Sequence, residues 1–284
     1  MKPASFAFVR ATSVSEACAM LESDEDAKIV AGGQSLVPMM NLRLAYPSQL
    51  IDISHIPGLG AIERRPDGNL RFGAMVTHAD VEHSAVVAGA APGLVDAIRH
   101  IAHPQIRSRG TVGGSLCHAD SAAEWPLLLV AYGGSVTVAS RTGERVIEAD
   151  DLFLSVFTTS MEQSEFLTRI DLPVAGRRLA FQELTRRMGD YGLALVAATC
   201  DDVSGPLRNV RIAVGGAVGT TCRARHAESL LEGREPDVSA ASDAAQAVID
   251  ELRILGDING STAYRRHIVS GLVQQVVRTL GAPR

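Results

Sequence analysis

Short apolar runs alternate with segments of helical periodicity along nearly the whole chain, and that alternation restricts it to the mixed helix-and-sheet classes. Ser13-Val14-Ser15-Glu16 reads as a capping box, and Val14, Ala17, Cys18 and Leu21 then fall on one helical face, which places Cys18 in a core. The apolar run Ala27-Lys28-Ile29-Val30-Ala31 leads into the turn Gly32-Gly33. A second run, Gln49-Leu50-Ile51-Asp52-Ile53, stops near Pro57-Gly58 and completes a strand–helix–strand opening.

Beyond residue 60 the strands shorten. Residues 70–73 read as a strand and Thr77-His78-Ala79-Asp80 as a helix start. Leu94, Ile98, Ile101 and Ala102 make one helical face that Pro104 should end. Strands are expected at 135–140 and 145–147 around Arg141-Thr142-Gly143, and at 166–172 before Pro173. After a boundary near Pro173-Val174-Ala175-Gly176, 193–200 and 210–215 read as long strands. Helices follow around 223–232, 239–254 and 262–280, the last with a buried stripe of Tyr264, Ile268, Leu272 and Val276.

A chain of 284 residues is long enough for two modest domains or one large one. Its charges sum to 27 − 32 = −5 and no Lys/Arg run tracks phosphates, which argues against a nucleic-acid binder. No apolar run reaches the roughly 20 residues that span a bilayer. The start, MKPASFAFVRATS, lacks a signal-peptide core, so a cytoplasmic protein is expected. Cys18, Cys117, Cys200 and Cys222 have no Cys-x-x-Cys spacing, and His100, His103 and His118 no metal-ligand spacing, so no metal site is expected on this chain.

Two segments carry candidate chemistry. Ala31-Gly32-Gly33-Gln34-Ser35-Leu36 follows an apolar strand; its glycines allow positive φ and let backbone N–H groups converge on an anion, though an ordinary strand-to-loop turn would use the same residues. Arg109-Gly110-Thr111-Val112-Gly113-Gly114-Ser115-Leu116-Cys117-His118-Ala119-Asp120 repeats that chemistry. Two such loops could clamp the two phosphates of one dinucleotide. Neither is a P-loop or a Gly-x-Gly-x-x-Gly fingerprint, and Gly215 to Gly219 misses that spacing too, reading as a strand end. Ser35 and Ser115 sit in no Gly-x-Ser-x-Gly elbow. Ser121-Ala122-Ala123-Glu124 fits a capping box, so Glu124 caps a helix, meets a ligand, or does both.

Taken together, Ala-Gly-Gly-Gln-Ser-Leu-x-Pro-Met-Met-Asn-Leu-Arg (31–43), Leu-Ile-Asp-Ile (50–53), Ile-Arg-Ser-Arg-Gly-Thr-Val-Gly-Gly-Ser-Leu (106–116) and Arg-Arg-Met-Gly-Asp-Tyr (186–191) resemble the FAD-binding medium subunit of molybdenum hydroxylases. The likeness is to the carbon-monoxide-dehydrogenase type, related to the flavin domain of xanthine dehydrogenase, and it runs over essentially the whole chain. It implies an α+β fold. A two-subdomain FAD-binding fold of the vanillyl-alcohol-oxidase/PCMH type would fill 1–175 (subdomains about 1–57 and 58–175), and a smaller sheet-plus-helices domain 176–284.

Residue by residue, the resemblance implies that Ala31, Gly32, Gly33, Gln34, Ser35 and Leu36 wrap the FAD pyrophosphate. Thr111, Gly114 and Ser115 would contact phosphate or ribityl oxygens, with His118, Ala119 and Asp120 alongside. Glu124 would bind the sugar side, Ile101 and Leu167 pack against the flavin, and Tyr191 shield one face of its ring. Ser115 replaces an Asn, and Gln182 replaces a flavin-contacting Lys, of the xanthine dehydrogenases. The implied FAD is non-covalent. Molybdopterin and [2Fe-2S] clusters would sit on a large and a small partner subunit, in a dimer of heterotrimers, with no residue of this chain acting on the organic substrate. The rival readings are a stand-alone flavoenzyme of the vanillyl-alcohol-oxidase type and a non-enzymatic nucleotide-binding module.

Overall fold

A computed structural model describes residues 1–202 and 204–281 and arranges them around three principal sheets. β1 (Ala7–Arg10), α1 (Val14–Ser23), β2 (Lys28–Val30), α2 (Leu36–Asn41) and β3 (Gln49–Asp52) form a parallel unit in the order β1-β3-β2. Next come β4 (Ile62–Arg64), β5 (Leu70–Gly73), α3 (His78–His83), α4 (Ala85–Ala90), α5 (Pro92–Ile98), α6 (Pro104–Arg107), α7 (Val112–His118) and α8 (Glu124–Tyr132). They are followed by β6 (Ser135–Ser140), β7 (Gly143–Glu148), α9 (Ala149–Leu152), β8 (Phe153–Ser155), β9 (Thr158–Thr159) and β10 (Phe166–Leu172). Here the main sheet is antiparallel in the order β4-β5-β10-β6-β7. β11 (Arg177–Thr185), β12 (Gly192–Asp201), β13 (Arg211–Gly215) and β14 (Cys222–Arg223) form the third sheet, backed by α10 (Arg225–Leu231), α11 (Val238–Glu251) and α12 (Thr262–Leu280).

Helix α8 ties these parts together. Every one of its residues is buried, as a helix apolar on all sides must be. It packs against α5 and α7 on one side and against β12 and β13 on the other. Leu195, Ala197 and Ala213 of the third sheet join its core. Polar ties follow the same route: Thr199 Oγ1 donates to the Ala131 carbonyl (2.7 Å), and the Arg211 guanidinium donates to the Val130 carbonyl and the Asp150 carboxylate.

Several local expectations need correction. The face containing Leu94 and Ile98 ends with α5; Ile101 and Ala102 lie in the following turn, and Pro104 begins α6 rather than ending a helix. Proline suits a first helical turn, where its missing N–H is no loss. Ser13 does cap Glu16 N–H, but the Glu16 carboxylate accepts from the N–H and hydroxyl of Thr12, so the box is only half formed. Tyr264 is exposed at the start of α12, because a spacing of four drifts off a 3.6-residue turn; Ile268, Leu272 and Val276 remain buried beside Val269, Val273 and Val277. Strand β11 gave no apolar signal, since only Ala180 along it is fully buried.

Truncating the middle of α8 should be expensive. Leu128→Ala, at a site with no solvent access, is expected to lower the unfolding free energy by about 2–5 kcal/mol. Urea titration of the purified chain measures it, and a cost below about 1 kcal/mol would contradict the central role given to this helix.

Candidate functional site

The two glycine loops meet backbone to backbone. A Cβ on Gly32 would sit inside the Arg109 carbonyl and 2.9 Å from Gly110 Cα. Gly33 adopts φ +69, which a β-branched residue resists. Among the described residues, the backbone N–H groups of Gly32, Gly33, Gln34 and Ser35 donate to no protein acceptor, although all four residues line a cleft. The second loop is held from behind. Thr111 Oγ1 accepts from Gly114 N–H (3.0 Å), and Val112 and Gly113 donate to the carbonyls of Val76 and Ala74. A Cβ on Gly113 would lie 2.7 Å from the Ala74 carbonyl oxygen.

Both loops, Ile101, His118, Asp120, Glu124, Leu167 and Tyr191 line one cleft of about 650 Å³. Ala119 does not. It closes α7 in the left-handed region (φ 53), is buried, and accepts a hydrogen bond from Phe157 N–H. Gln182 is also absent from the lining. On β11 it is its neighbour Glu183 whose side chain is buried, with Oε1 3.1 Å from His100 Nδ1 and Oε2 without a partner. His78, His103, Cys117 and Met161 line the cleft as well, and sequence spacing alone gave no sign of it.

The capping reading of Glu124 fails. The N-cap of α8 is Ala123, with no side-chain bond, and the Ser121 carbonyl is turned to Gly216 N–H (2.6 Å). Glu124 faces the cleft instead, where burial, and then the nearby Glu183, push its carboxyl up to about 8. At neutral pH it can therefore donate as well as accept a hydrogen bond. Burial lowers His118, whose ring stacks on Phe157 at 4.9 Å. Cys117 presents surface to the cleft yet lies deep enough that burial pushes its thiol up to about 12, leaving it a poor nucleophile.

Tyr191 is 66% exposed and stands between this cleft and a second cavity of about 700 Å³ that also borders Arg265 and Asp257. Its turn rests on Gly189 (φ +84), where any Cβ would collide with the His103 ring. The arrangement offers unpaired backbone donors for a diphosphate, apolar walls at Ile101 and Leu167, and an exposed aromatic side chain at the mouth. A flavin dinucleotide fits that donor set.

Residues 4–175 match the family described as the FAD binding domain in molybdopterin dehydrogenase, and residues 179–280 match the CO dehydrogenase flavoprotein C-terminal domain. The nicotine 6-hydroxylase medium subunit of Paenarthrobacter nicotinovorans is 45% identical, over 99% of this chain and 99% of its own length. The carbon monoxide dehydrogenase medium chain of Hydrogenophaga pseudoflava is 33% identical, over 99% of each. Among solved structures, quinoline 2-oxidoreductase from Pseudomonas putida 86 superposes with a TM-score of 0.94 at 36% identity, covering 99% of this chain and 98% of that one.

The raised Glu124 pKa makes stability depend on pH. The folded chain keeps the Glu124 proton up to about pH 8, whereas the unfolded chain releases it near the ordinary carboxylate value. Its contribution is therefore complete below that ordinary value and is lost as pH rises through about 8. Glu124→Gln should remove the loss. Melts at about pH 5, 7 and 9 should show the variant gaining steadily on the wild type, and parallel curves would refute the assignment.

Proposed function

The chain belongs to the FAD-binding flavoprotein family of the molybdopterin dehydrogenases, and from that membership we propose that it is the electron-transfer subunit of a molybdenum hydroxylase complex. It would take electrons from the iron–sulfur clusters of a small partner subunit, while a large subunit carrying molybdopterin oxidises the substrate, and pass them to an external acceptor. The complex would be a dimer of such heterotrimers in the cytoplasm. The observation that carries this reading is the junction of the two glycine loops at Gly32 and Arg109, with unpaired N–H groups on one cleft. No helix among the described residues is long and apolar enough to cross a membrane.

On this reading residues 1–175 form the flavin domain, with subdomains meeting near residue 57, and 176–284 the C-terminal domain. Residues 31–36 hold the pyrophosphate by backbone N–H groups and the Thr111 and Ser115 hydroxyls add to them, while Gly114, without a side chain, leaves the ligand room to approach. Glu124, protonated, binds a sugar hydroxyl, with His118 and Asp120 beside it. Ile101 and Leu167 press on the ring system and keep water from it, and Tyr191 covers the open face. Ala119 supports the second loop from behind. When bound, FAD supplies a centre that accepts electrons singly and releases them as a pair. The thiol form of Cys117 and the stacking of His118 on Phe157 favour non-covalent attachment. On this reading substrate choice would rest with the molybdenum-bearing chain.

The test is flavin content. The purified chain should be yellow, with FAD released intact by acid. Gly33→Val should abolish binding while the far-UV circular dichroism stays unchanged, since φ +69 disfavours valine and Val37 Cγ2 lies 3.3 Å from the added Cβ. Stoichiometric flavin at unchanged affinity in that variant would sink the loop assignment. Turnover of an organic substrate by the isolated chain, free of molybdenum and iron, would favour the stand-alone oxidoreductase.

A further inference from the structure

His78 opens α3 beneath the second glycine loop and is only 5% exposed. Its backbone N–H donates to the Gly110 carbonyl at 3.0 Å, which fixes the ring over that loop. Trp125 of α8, wholly buried, donates its indole N–H to His78 Nδ1 at 3.0 Å, with the two rings within 25° of parallel. The indole can only donate, so Nδ1 must present a lone pair. In the neutral ring the proton then resides on Nε2.

Nε2 has no hydrogen-bond partner among the described residues, yet His78 lines the cleft. It lies 2.8 Å from the place a Cβ on Gly110 would occupy. Any residue but glycine at 110 would cover this donor. Gly110 is also next to Arg109, whose carbonyl meets Gly32, so Nε2 opens onto the junction of the two loops. Burial, with the nearby Arg107 charge adding, pushes His78 down to about 4, so the ring is neutral at working pH. A neutral, nine-tenths buried donor with its tautomer locked from behind and its front left open has the features of a ligand contact.

We propose that His78, held as the Nε2–H tautomer by Trp125, donates to a pyrophosphate oxygen of the dinucleotide at the loop junction, and that Gly110 is glycine to leave this path clear. The inference rests on the flavin reading above and deepens it, assigning a side-chain donor where only backbone donors were counted. Trp125 then acts as a positioning residue through His78.

The full-length chain, stripped of flavin, can be titrated with FAD and, in competition, with ADP, which carries the pyrophosphate but no flavin. A hydrogen bond to a charged group contributes about 1.5–3 kcal/mol, so His78→Phe should weaken both ligands roughly ten- to hundredfold. His78→Gln, which keeps an amide donor of similar reach, should recover part of the loss. Nitrogen-15 shifts of the wild-type imidazole should report the Nε2–H tautomer, and Trp125→Phe should convert them to a tautomer mixture. Unchanged ADP affinity in a folded His78→Phe variant overturns the proposal, and so does an Nδ1–H or imidazolium signature in the wild type. The second readout needs no variant to fold. A wild-type chain that binds neither FAD nor ADP overturns the flavin reading itself, and this proposal with it.

Discussion

The side-chain-free approach of Gly32 to the Arg109 carbonyl sets the geometry on which the cleft depends. One glycine-rich loop follows β2 of the parallel unit and the other joins α6 to α7, and the two can touch only because no side chain stands between them. Gly113 against Ala74 repeats the arrangement one layer deeper. Backbone N–H groups that would otherwise bond within an element are left facing the cleft. The price of that geometry is conformational, in the positive φ of Gly33 and the left-handed Ala119.

Four titratable side chains of the cleft are driven by burial toward their neutral forms. Glu124 holds its proton to about 8, His78 loses its own at about 4, Cys117 remains a thiol, and His118 is lowered. A dinucleotide diphosphate would thus meet oriented dipoles rather than a cluster of cations. Such dipoles need no counter-charge when the site is empty, and they do not reorganise when the charge arrives. Glu183 is the buried acid that helps keep Glu124 protonated, and it stands one residue from the position where the sequence directed attention.

Elements with a one-dimensional signature were legible. Strands β5, β6 and β10 and helix α12 occupy the expected residues, and both glycine loops border one cleft. What could not be read depends on facing between distant segments. His78 does open a helix, as its sequence suggests, but the facing of its ring stayed hidden because its partner, Trp125, is 47 residues away. Ser121 and Glu124 have capping-box spacing, but α8 begins only at Glu124, with Ala123 as its N-cap, while the Ser121 carbonyl accepts from Gly216, just past β13. Strand β11 lies at the edge of its sheet with one face half exposed, so its residues carry no apolar run.

Helix α8 gives the chain a particular kind of indivisibility. The family boundary falls between residues 175 and 179, where a linear reading would cut the gene in two. The helix that begins with the cleft acid Glu124 nonetheless shares its core with Leu195, Ala197 and Ala213 from beyond that boundary, and its carbonyls are capped by Thr199 and Arg211. A fragment ending at 175 would bare an apolar helix face and leave those carbonyls without their partners. The flavin half and the half behind it are therefore separate in sequence but inherited together, and recombination between relatives would have to exchange both or rebuild the seam.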